Sequence, residues 1–586
     1  MIKIPKIIER PTSQAVYLAA LQLNLTPLQA TLVAKRLSET DSIEQIVFPK
    51  LKHIQHPSTL KNSLAAAHII SDAIAANGLI VLATDYDTDG VTSAWVAMTA
   101  LVHYFNVPAH KVVHIIGERK AGYGITDEVC DRILALNQPV SLVISADQGS
   151  SDEPRIARLK AAGIAVCVTD HHQMPIDGAP QSAVCTVNPQ QAGCDYDKTV
   201  AGCFVIFLVM TQVRQVLIER GLLAADSPSL KALALNVALG TIADSVSLKS
   251  PNNRAIVQSG LQFINQFTVP AWQAVKQLND NQGEPFNAEF LAFQVATRIN
   301  AASRVSDVTT AFNFLNAAHL SEAQRHLQQL DDDNQDRRHQ QQAMLAQAQD
   351  LAQALYHNQK YSLALKLQGN AGIQGIIATR IGEAYGLPCV AMTDLKDGYL
   401  AGSGRGIVKH IDLRHAFQWM ADQEPGLFKS MGGHAGAAGC MIKLEHYDIF
   451  SALFEQAIKL QIGDQPPVPI IETDGQLSEA QLTPNLINEL AQLEPYGREW
   501  PQPLFNGEFE IVEVKAVGQT QTHLSFKLKQ ASGKWIQAIY FNAKQSAQDP
   551  IEFTPGERIR CVYQASLNRY NGRVSLQLRL QWAAAM

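Results

Sequence analysis

Four short segments carry side chains suited to acid and metal chemistry. Asp85-Tyr86-Asp87-Thr88-Asp89-Gly90 sets three carboxylates on alternate residues, directly after the apolar run 79–83. Ser145-Ala146-Asp147-Gln148-Gly149, Thr169-Asp170-His171-His172 and Gly240-Thr241-Ile242-Ala243-Asp244 each follow another apolar run. A calcium-binding loop is the rival reading of the first segment. It fails because the twelfth position, where a bidentate Glu belongs, is Val96, and because a strand pattern rather than a helix precedes the loop. Each Asp alone could be an ordinary turn residue. Four segments together, all expected at strand ends, point to a site.

Neighbouring strands lie roughly 5 Å apart, so carboxylates on adjacent strand ends repel one another and raise each other's pKa unless cations neutralise them. Five Asp with one or two His suit two divalent ions, Mn²⁺ or Mg²⁺, with imidazole favouring Mn²⁺. Such a pair lowers the pKa of an attacking water and steadies charge developing on a phosphate. A lone histidine is more often structural, but an adjacent pair after a strand-terminal Asp favours function.

The elements that must position these groups can be read from periodicity. Short apolar strands at 79–83, 112–116, 142–144, 165–168 and 184–187 alternate with helices at 91–105 and 153–162, which implies a parallel sheet covered on both faces. Functional groups gather at the carboxyl edge of such sheets. Residues 1–75 read as a small helical preamble. The span 321–359 lacks Gly and Pro and reads as one long polar helix between two lobes. A glycine-punctuated second α/β lobe follows, then a Pro-rich linker at 465–469. The remainder reads as a small β-barrel, with a turn at Asn571-Gly572. Its Lys527, Lys529, Arg558, Arg560, Arg569 and Arg573, with Trp535, Tyr540, Phe541, Tyr563 and Tyr570, suit sequence-independent single-strand binding, although many of these aromatics must be core.

Bulk properties agree. A chain of 586 residues with 46% hydrophobic and 17% charged residues is a multidomain globular protein. Its net charge of -6 argues against a general nucleic-acid coat. Residues 511–586 nevertheless hold ten Lys/Arg against four Asp/Glu, an excess of +6 that leaves -12 for the rest. Ordinary drift of charge between domains would also produce this. The eight cysteines contain no C-x-x-C pair, and Cys185, Cys194 and Cys203 match no zinc spacing, so buried thiols in a reducing, cytoplasmic setting are expected. Residues 203–210 form an apolar run too short to span a membrane, and no signal-peptide core appears at the start. No G-x-x-x-x-G-K-[ST] loop is present, which disfavours a nucleotide-driven motor.

The segments DYDTDG, ADQG, TDHH and GTIAD, in this order, resemble the four phosphoesterase motifs of the DHH superfamily. Gly402-Ser403-Gly404-Arg405-Gly406 and Gly432-Gly433-His434-Ala435-Gly436 resemble its companion DHHA1 substrate-binding domain. The run from Leu291-Ala292-Phe293-Gln294 to Ala302-Ser303-Arg304 is similar to a segment of RecJ-type exonucleases, as is Gly117-Glu118-Arg119-Lys120-Ala121-Gly122-Tyr123-Gly124. Length and the barrel fit that type better than the short oligonucleotidases.

The resemblance implies an α/β fold with five parts: an N-terminal segment (1–75), a DHH phosphoesterase domain (76–320), a connecting helix (321–359), a DHHA1-like lobe (360–462) and an OB-like barrel (470–586). It implies 5′ to 3′ digestion of single-stranded DNA; a monomer is the default expectation, and a single-strand-binding protein and a helicase are candidate partners on which the sequence is silent. Asp85, Asp87, Asp89, Asp147, His171 and Asp244 would hold the metals, with Asp147 bridging. His172 would contact the scissile phosphate, and Asp170 would orient the imidazoles. Arg119, Arg304, Ser403, Arg405 and His434 would hold the strand. The chain departs from the RecJ pattern at Gln148, Ser303, Asn370 and Gly406, on the substrate side, as a diverged paralogue would. A phosphodiesterase for short RNA or cyclic dinucleotides needs no barrel. A non-catalytic scaffold would be expected to lose metal ligands that are all present here.

Overall fold

The computed structural model describes residues 4–279, 283–433, 435–544, 546–570 and 573–586. The chain opens on a short strand, β1 (Lys6–Glu9), where sequence reading expects only helix. Helices α1 (Gln14–Gln22), α2 (Pro27–Ala34), α3 (Ile43–Val47) and α4 (Ser63–Ala75) follow. Thr26 and Gln29 start α2 with a reciprocal capping box, which satisfies two backbone N–H groups the helix leaves unpaired.

An alternating region comes next: β2 (Leu79–Thr84), α5 (Thr88–Thr99), β3 (Val112–Ile116), α6 (Asp127–Leu134), β4 (Val140–Ala146), α7 (Glu153–Ala161), β5 (Val166–Thr169) and β6 (Cys185–Val187). These strands form a parallel sheet in the order β3-β2-β4-β5-β6. Every residue of β2 is buried, as a strand covered on both faces requires. The chain places β3 on one side of β2 and then crosses back to place β4 on the other. That reversal opens a crevice at the carboxyl ends of β2 and β4.

Three helices then pack beside the sheet: α8 (Gly202–Glu219), α9 (Ala234–Ala243) and α10 (Pro251–Ile264). The apolar run 233–239, expected as a strand, is therefore helical, and the fourth motif ends a helix rather than a strand. An unbroken apolar run fits a buried strand or a buried helix equally, and α9 is buried at almost every residue. Among the described residues, α8 is long and apolar enough by composition to cross a membrane. It is 72% buried, however, and packs against α4, α5 and α9 as a core helix. All eight cysteines are buried free thiols.

The chain divides into two compact units, one of Met1–Glu9 with Asp332–Thr473 and one of Arg10–Asp331 with Asp474–Met586. The run expected to be a single long helix is one, Leu320–Leu355. In the first unit, β7 (Leu363–Leu367), β8 (Cys389–Asp394), β9 (Tyr399–Arg405), β10 (Phe428–Gly433) and β11 (Ala437–Lys443) form a mixed sheet in the order β10-β11-β9-β8-β7. Strand β12 (Ile470–Thr473), just past the Pro-rich stretch, pairs in parallel with β1.

In the second unit, β13 (Phe505–Val517), β14 (His523–Lys529), β15 (Trp535–Tyr540), β16 (Arg558–Tyr570) and β17 (Arg573–Ala585) close a barrel in the order β13-β14-β15-β17-β16. The Asn571-Gly572 turn lies outside the described residues. One hydrophobic core joins the helices beside the parallel sheet to the barrel, with Phe204, Trp272, Trp500 and Phe526 fully buried.

Candidate metal centre

Each acidic segment reaches the crevice for a local reason. Asp87 caps α5, and its carboxylate accepts from Asp89 N at 2.8 Å and Gly90 N at 3.1 Å. Asp89, in the first turn of α5, points at the start of α8, where Gly202 N and Cys203 N donate to it at 2.7 and 2.9 Å. The helix dipole favours a carboxylate there. Gly202 is required by space, because a Cβ on it would stand 2.5 Å from Asp147 Oδ1. Asp147 follows β4 in the left-handed region (φ 62°), a conformation that costs an Asp about 1 kcal/mol or more and is found at functional sites. Asp170 follows β5, and its N–H donates to Val187 O at 3.0 Å. Asp244 ends α9.

These turns converge. His171 Nε2 stands 3.2 Å from Asp147 Oδ1 and 3.7 Å from both Asp89 Oδ2 and Asp244 Oδ2. Ligand atoms of Asp85, Asp87 and Asp147 lie within 4.8 Å of one another, as do those of Asp89, His171 and Asp244. Asp147 Oδ1, Asp85 Oδ1 and His171 Nε2 are buried without a hydrogen-bond partner among the described residues. The 3.2 Å approach of His171 to Asp147 therefore lacks hydrogen-bond direction, so both atoms aim at shared space rather than at each other. A buried set of oxygen and imidazole donors with unused lone pairs fits divalent cations.

Electrostatics says the same. Burial first, and Asp87 second, push the Asp85 carboxyl well above the usual range. Burial and then Asp89 raise Asp87, Asp147 and Asp244, with Asp87 also acting on the last two. Without cations this cluster holds protons it would otherwise lose.

Asp170 plays a different part. Burial works to raise its carboxyl, but the His172 charge and hydrogen bonds hold it well below the usual carboxylate range. Its Oδ1 accepts from His171 N (2.7 Å), His172 N (3.2 Å) and His172 Nδ1 (2.8 Å), and its Oδ2 from Ser150 N (3.0 Å). Burial lowers His172, yet Asp170 more than offsets that and brings the imidazole up to about 9. Burial lowers His171, which leaves its ring neutral and free to ligate.

Arg119 lies over the Tyr86 ring at 4.4 Å, with Nη2 and Nε at 3.3 and 3.4 Å from Ser303 Oγ. Burial raises the Tyr86 phenol to about 12, while the charges of Arg119 and Arg304 act against it. Both arginines therefore flank the Asp85 segment. Ser403 and Arg405 belong to the other unit. There Arg405 Nη1 donates to Ser403 Oγ at 3.0 Å and Gly404 O at 2.7 Å. His434 lies outside the described residues. Of the departures, Gln148 is fully buried with both amide atoms unpartnered among the described residues, and Asn370 caps the turn at Ala371–Ile373.

Several contributors escaped the sequence reading. Tyr123 donates to Asp147 O at 2.9 Å and meets His172 Nδ1 at 2.8 Å. Asn300 Oδ1 accepts from Thr88 N and Oγ1 at 2.8 and 2.9 Å, which fixes the Asp87–Asp89 turn. Asn188 Nδ2 donates to His172 O at 2.9 Å. Tyr123 and Asn300 lie within the stretches noted for Arg119 and Arg304, which was the available signal.

The fold and this site define a class. The model of the DHH family, N-terminal domain, matches residues 79–241, that of the DHHA1 domain 358–460, and that of the RecJ OB domain 473–581. The single-stranded-DNA-specific exonuclease RecJ of Haemophilus influenzae is 30% identical over 558 residues, spanning 94% of each chain. That of Escherichia coli is 29% identical over 96% of each. The crystal structure of Thermus thermophilus RecJ in complex with Mn²⁺ superposes with a TM-score of 0.76 at 25% identity, covering 99% of this chain and 79% of that one. The chain belongs to the RecJ family.

Proposed function

We propose that this protein is a divalent-metal-dependent exonuclease that digests single-stranded DNA from its 5′ end and releases 5′-mononucleotides in repair and recombination. The observation that carries the reading is the convergence of six donor residues from four separated segments, with buried lone pairs aimed at common space. The names of the relatives support the substrate, since several are single-stranded-DNA-specific exonucleases.

Asp85, Asp87 and Asp147 would hold one ion and Asp89, His171 and Asp244 the other, with Asp147 between them. When bound, two Mn²⁺ or Mg²⁺ ions activate a water and offset charge on the phosphate. Water adds to phosphorus, the P–O3′ bond breaks, and the phosphate stays on the shortened strand. His172, kept protonated by Asp170 and steadied by Tyr123, donates to a non-bridging phosphate oxygen. Arg119 and Arg304 grip the strand near its end, and Ser403, Arg405 and His434 of the other unit also bind it. In this reading residues 76–320 perform the chemistry, 321–359 connect, 360–462 hold substrate and 470–586 bind strand, after an N-terminal segment at 1–75. The protein acts as a cytoplasmic monomer alongside a single-strand-binding protein and a helicase.

Purified protein with Mn²⁺ should release mononucleotides from a 5′-phosphorylated single strand and leave the same sequence intact as duplex. Asp147→Ala should cut turnover on the order of a thousandfold or more while strand binding persists. Turnover at wild-type rate in that variant, or release from the 3′ end, would refute the assignment.

A further inference from the structure

A cleft of about 450 Å³ adjoins the Asp244 side of the cluster and has no role in the chemistry above. One wall is the turn after α9, including Ser245, and the other is barrel surface at Gln564, Arg579 and Gln581. That volume suits a nucleotide-sized group. Phe293 lines it while 63% exposed, an unusual state for a large aromatic beside a polar site. Arg498 lines it as well and is exposed.

Arg579 is already engaged, with Nη2 at 3.1 Å from Glu289 and 2.6 Å from Gln564 Oε1. Arg498 differs. Among the described residues no carboxylate lies within ion-pair distance of it, and its guanidinium donates to Ser245 O at 3.5 Å, one residue from Asp244. The remaining acid of the cleft, Glu494, is raised by burial and accepts from Asn287 Nδ2 at 3.5 Å.

The mount of Arg498 is rigid. Its carbonyl accepts from Leu248 N at 2.9 Å, and Gly497 and Trp500 exchange backbone hydrogen bonds at 3.0 and 3.2 Å. Trp500 is buried, and its Nε1 donates to Leu493 O at 2.8 Å. Arg254, fully buried, lies 4.6 Å from the Trp500 ring and donates to the carbonyls of Leu493 (2.9 Å), Pro495 (2.9 Å), Glu494 (3.2 Å) and Leu248 (3.3 Å). Burying a guanidinium with only carbonyl partners is expensive. Here it pins the segment that presents Arg498 beside the metal centre.

We propose that Arg498 and Phe293 form a nucleotide subsite on the path from the metal cluster to the barrel, Arg498 holding a backbone phosphate and Phe293 stacking on a base. The subsite rests on the activity proposed above. Guanidinium groups suit phosphate oxygens, and an exposed ring stacks on any base, so the subsite grips strand without reading sequence.

The test is Mn²⁺-dependent digestion of a long single strand by wild type, R498A, R498Q, R498K, F293A and F293W across a range of salt concentrations. R498A and R498Q should raise KM about tenfold with little change in kcat, and should flatten the slope of log kcat/KM against log salt by about 0.7, the value of one single-strand phosphate contact. R498K should keep the wild-type slope. F293A should raise KM and F293W restore it, with neither altering the slope. A wild-type slope in R498Q overturns the subsite even if R498A fails to fold. Normal digestion by wild type with unchanged variants defeats this proposal alone, whereas a wild type that digests no single strand defeats the activity as well.

Discussion

At the scale of single residues, the carboxylates of the centre are held in a state that disfavours their own charge. The folded chain raises Asp85, Asp147 and Asp244 above the ordinary value of 3.8. Between that value and the raised one, the native state binds protons that the unfolded chain has lost, so stability falls as pH rises. His172 acts with the same sign, since its stabilisation is complete below about 6.5 and is lost as pH climbs through about 9. Asp170 contributes the opposite way, losing its stabilisation only as pH falls below the ordinary range. Chelator-treated protein should therefore lose Tm as pH rises from about 6.5 to about 9, and Mn²⁺ at a hundredfold excess over its Kd should restore about 2.7 kcal/mol. Calorimetry checks both, and Asp147→Asn should reduce both. A flat Tm profile with no Mn²⁺ response would mean that the carboxylates are not a cation cage. The donor residues were legible because their types and spacing are extreme. Tyr123, Asn300 and Asn188 were not, since a neutral side chain contributes through hydrogen bonds whose partners lie 16 to 212 residues away in sequence.

At the scale of elements, the centre depends on backbone termini as much as on side chains. The start of α8 donates two N–H groups to Asp89, and Gly202 leaves room for Asp147. Gly202→Ala should keep the fold at a cost of about 1–3 kcal/mol, yet lower kcat on the order of a hundredfold through a sub-ångström displacement of Asp147. Parallel measurement of Tm and single-turnover rate separates the two, and full activity in this variant would show that the close approach does not matter. Strands such as β3 were visible to the residue because a five-residue run rich in β-branched Val and Ile is too short for a buried helix. Helix α9 was misread because total burial erases the 3.6-residue period that distinguishes a helix. Strand β1 could not be anticipated, since its partner, β12, lies more than 460 residues away in the chain. The role of α8 was hidden in the same way: its start looked like the edge of a greasy run, and only the fold reveals what its first turn faces.

At the scale of the molecule, an acidic body and a basic tail would, in the proposed function, divide the work between cations and phosphates. The second unit holds both, with the parallel sheet and the barrel sharing one hydrophobic core. The barrel sorts its aromatics by use. Tyr563 is core, 1% exposed, whereas Trp535 is 57% exposed with Lys527 Nζ 4.4 Å from its ring, and Phe541 is half exposed beside His523. Several of its cations are already paired, Lys529 with Glu510 at 3.1 Å and Arg558 with Glu508 at 3.0 Å. That leaves the Lys527–Trp535 pair as a ready platform for a base and its phosphate. A strand long enough to occupy both the centre and this platform gains from the second contact as an intramolecular event, and a very short one does not. Trp535→Ala should therefore raise KM on a long oligonucleotide by about five- to thirtyfold, the equivalent of about 1–2 kcal/mol of stacking, while hydrolysis of a trinucleotide stays at the wild-type rate. Steady-state kinetics on the two substrates decides it. Equal losses on both would place Trp535 in the fold rather than on the strand, and no loss on either would move the strand to another face of the barrel.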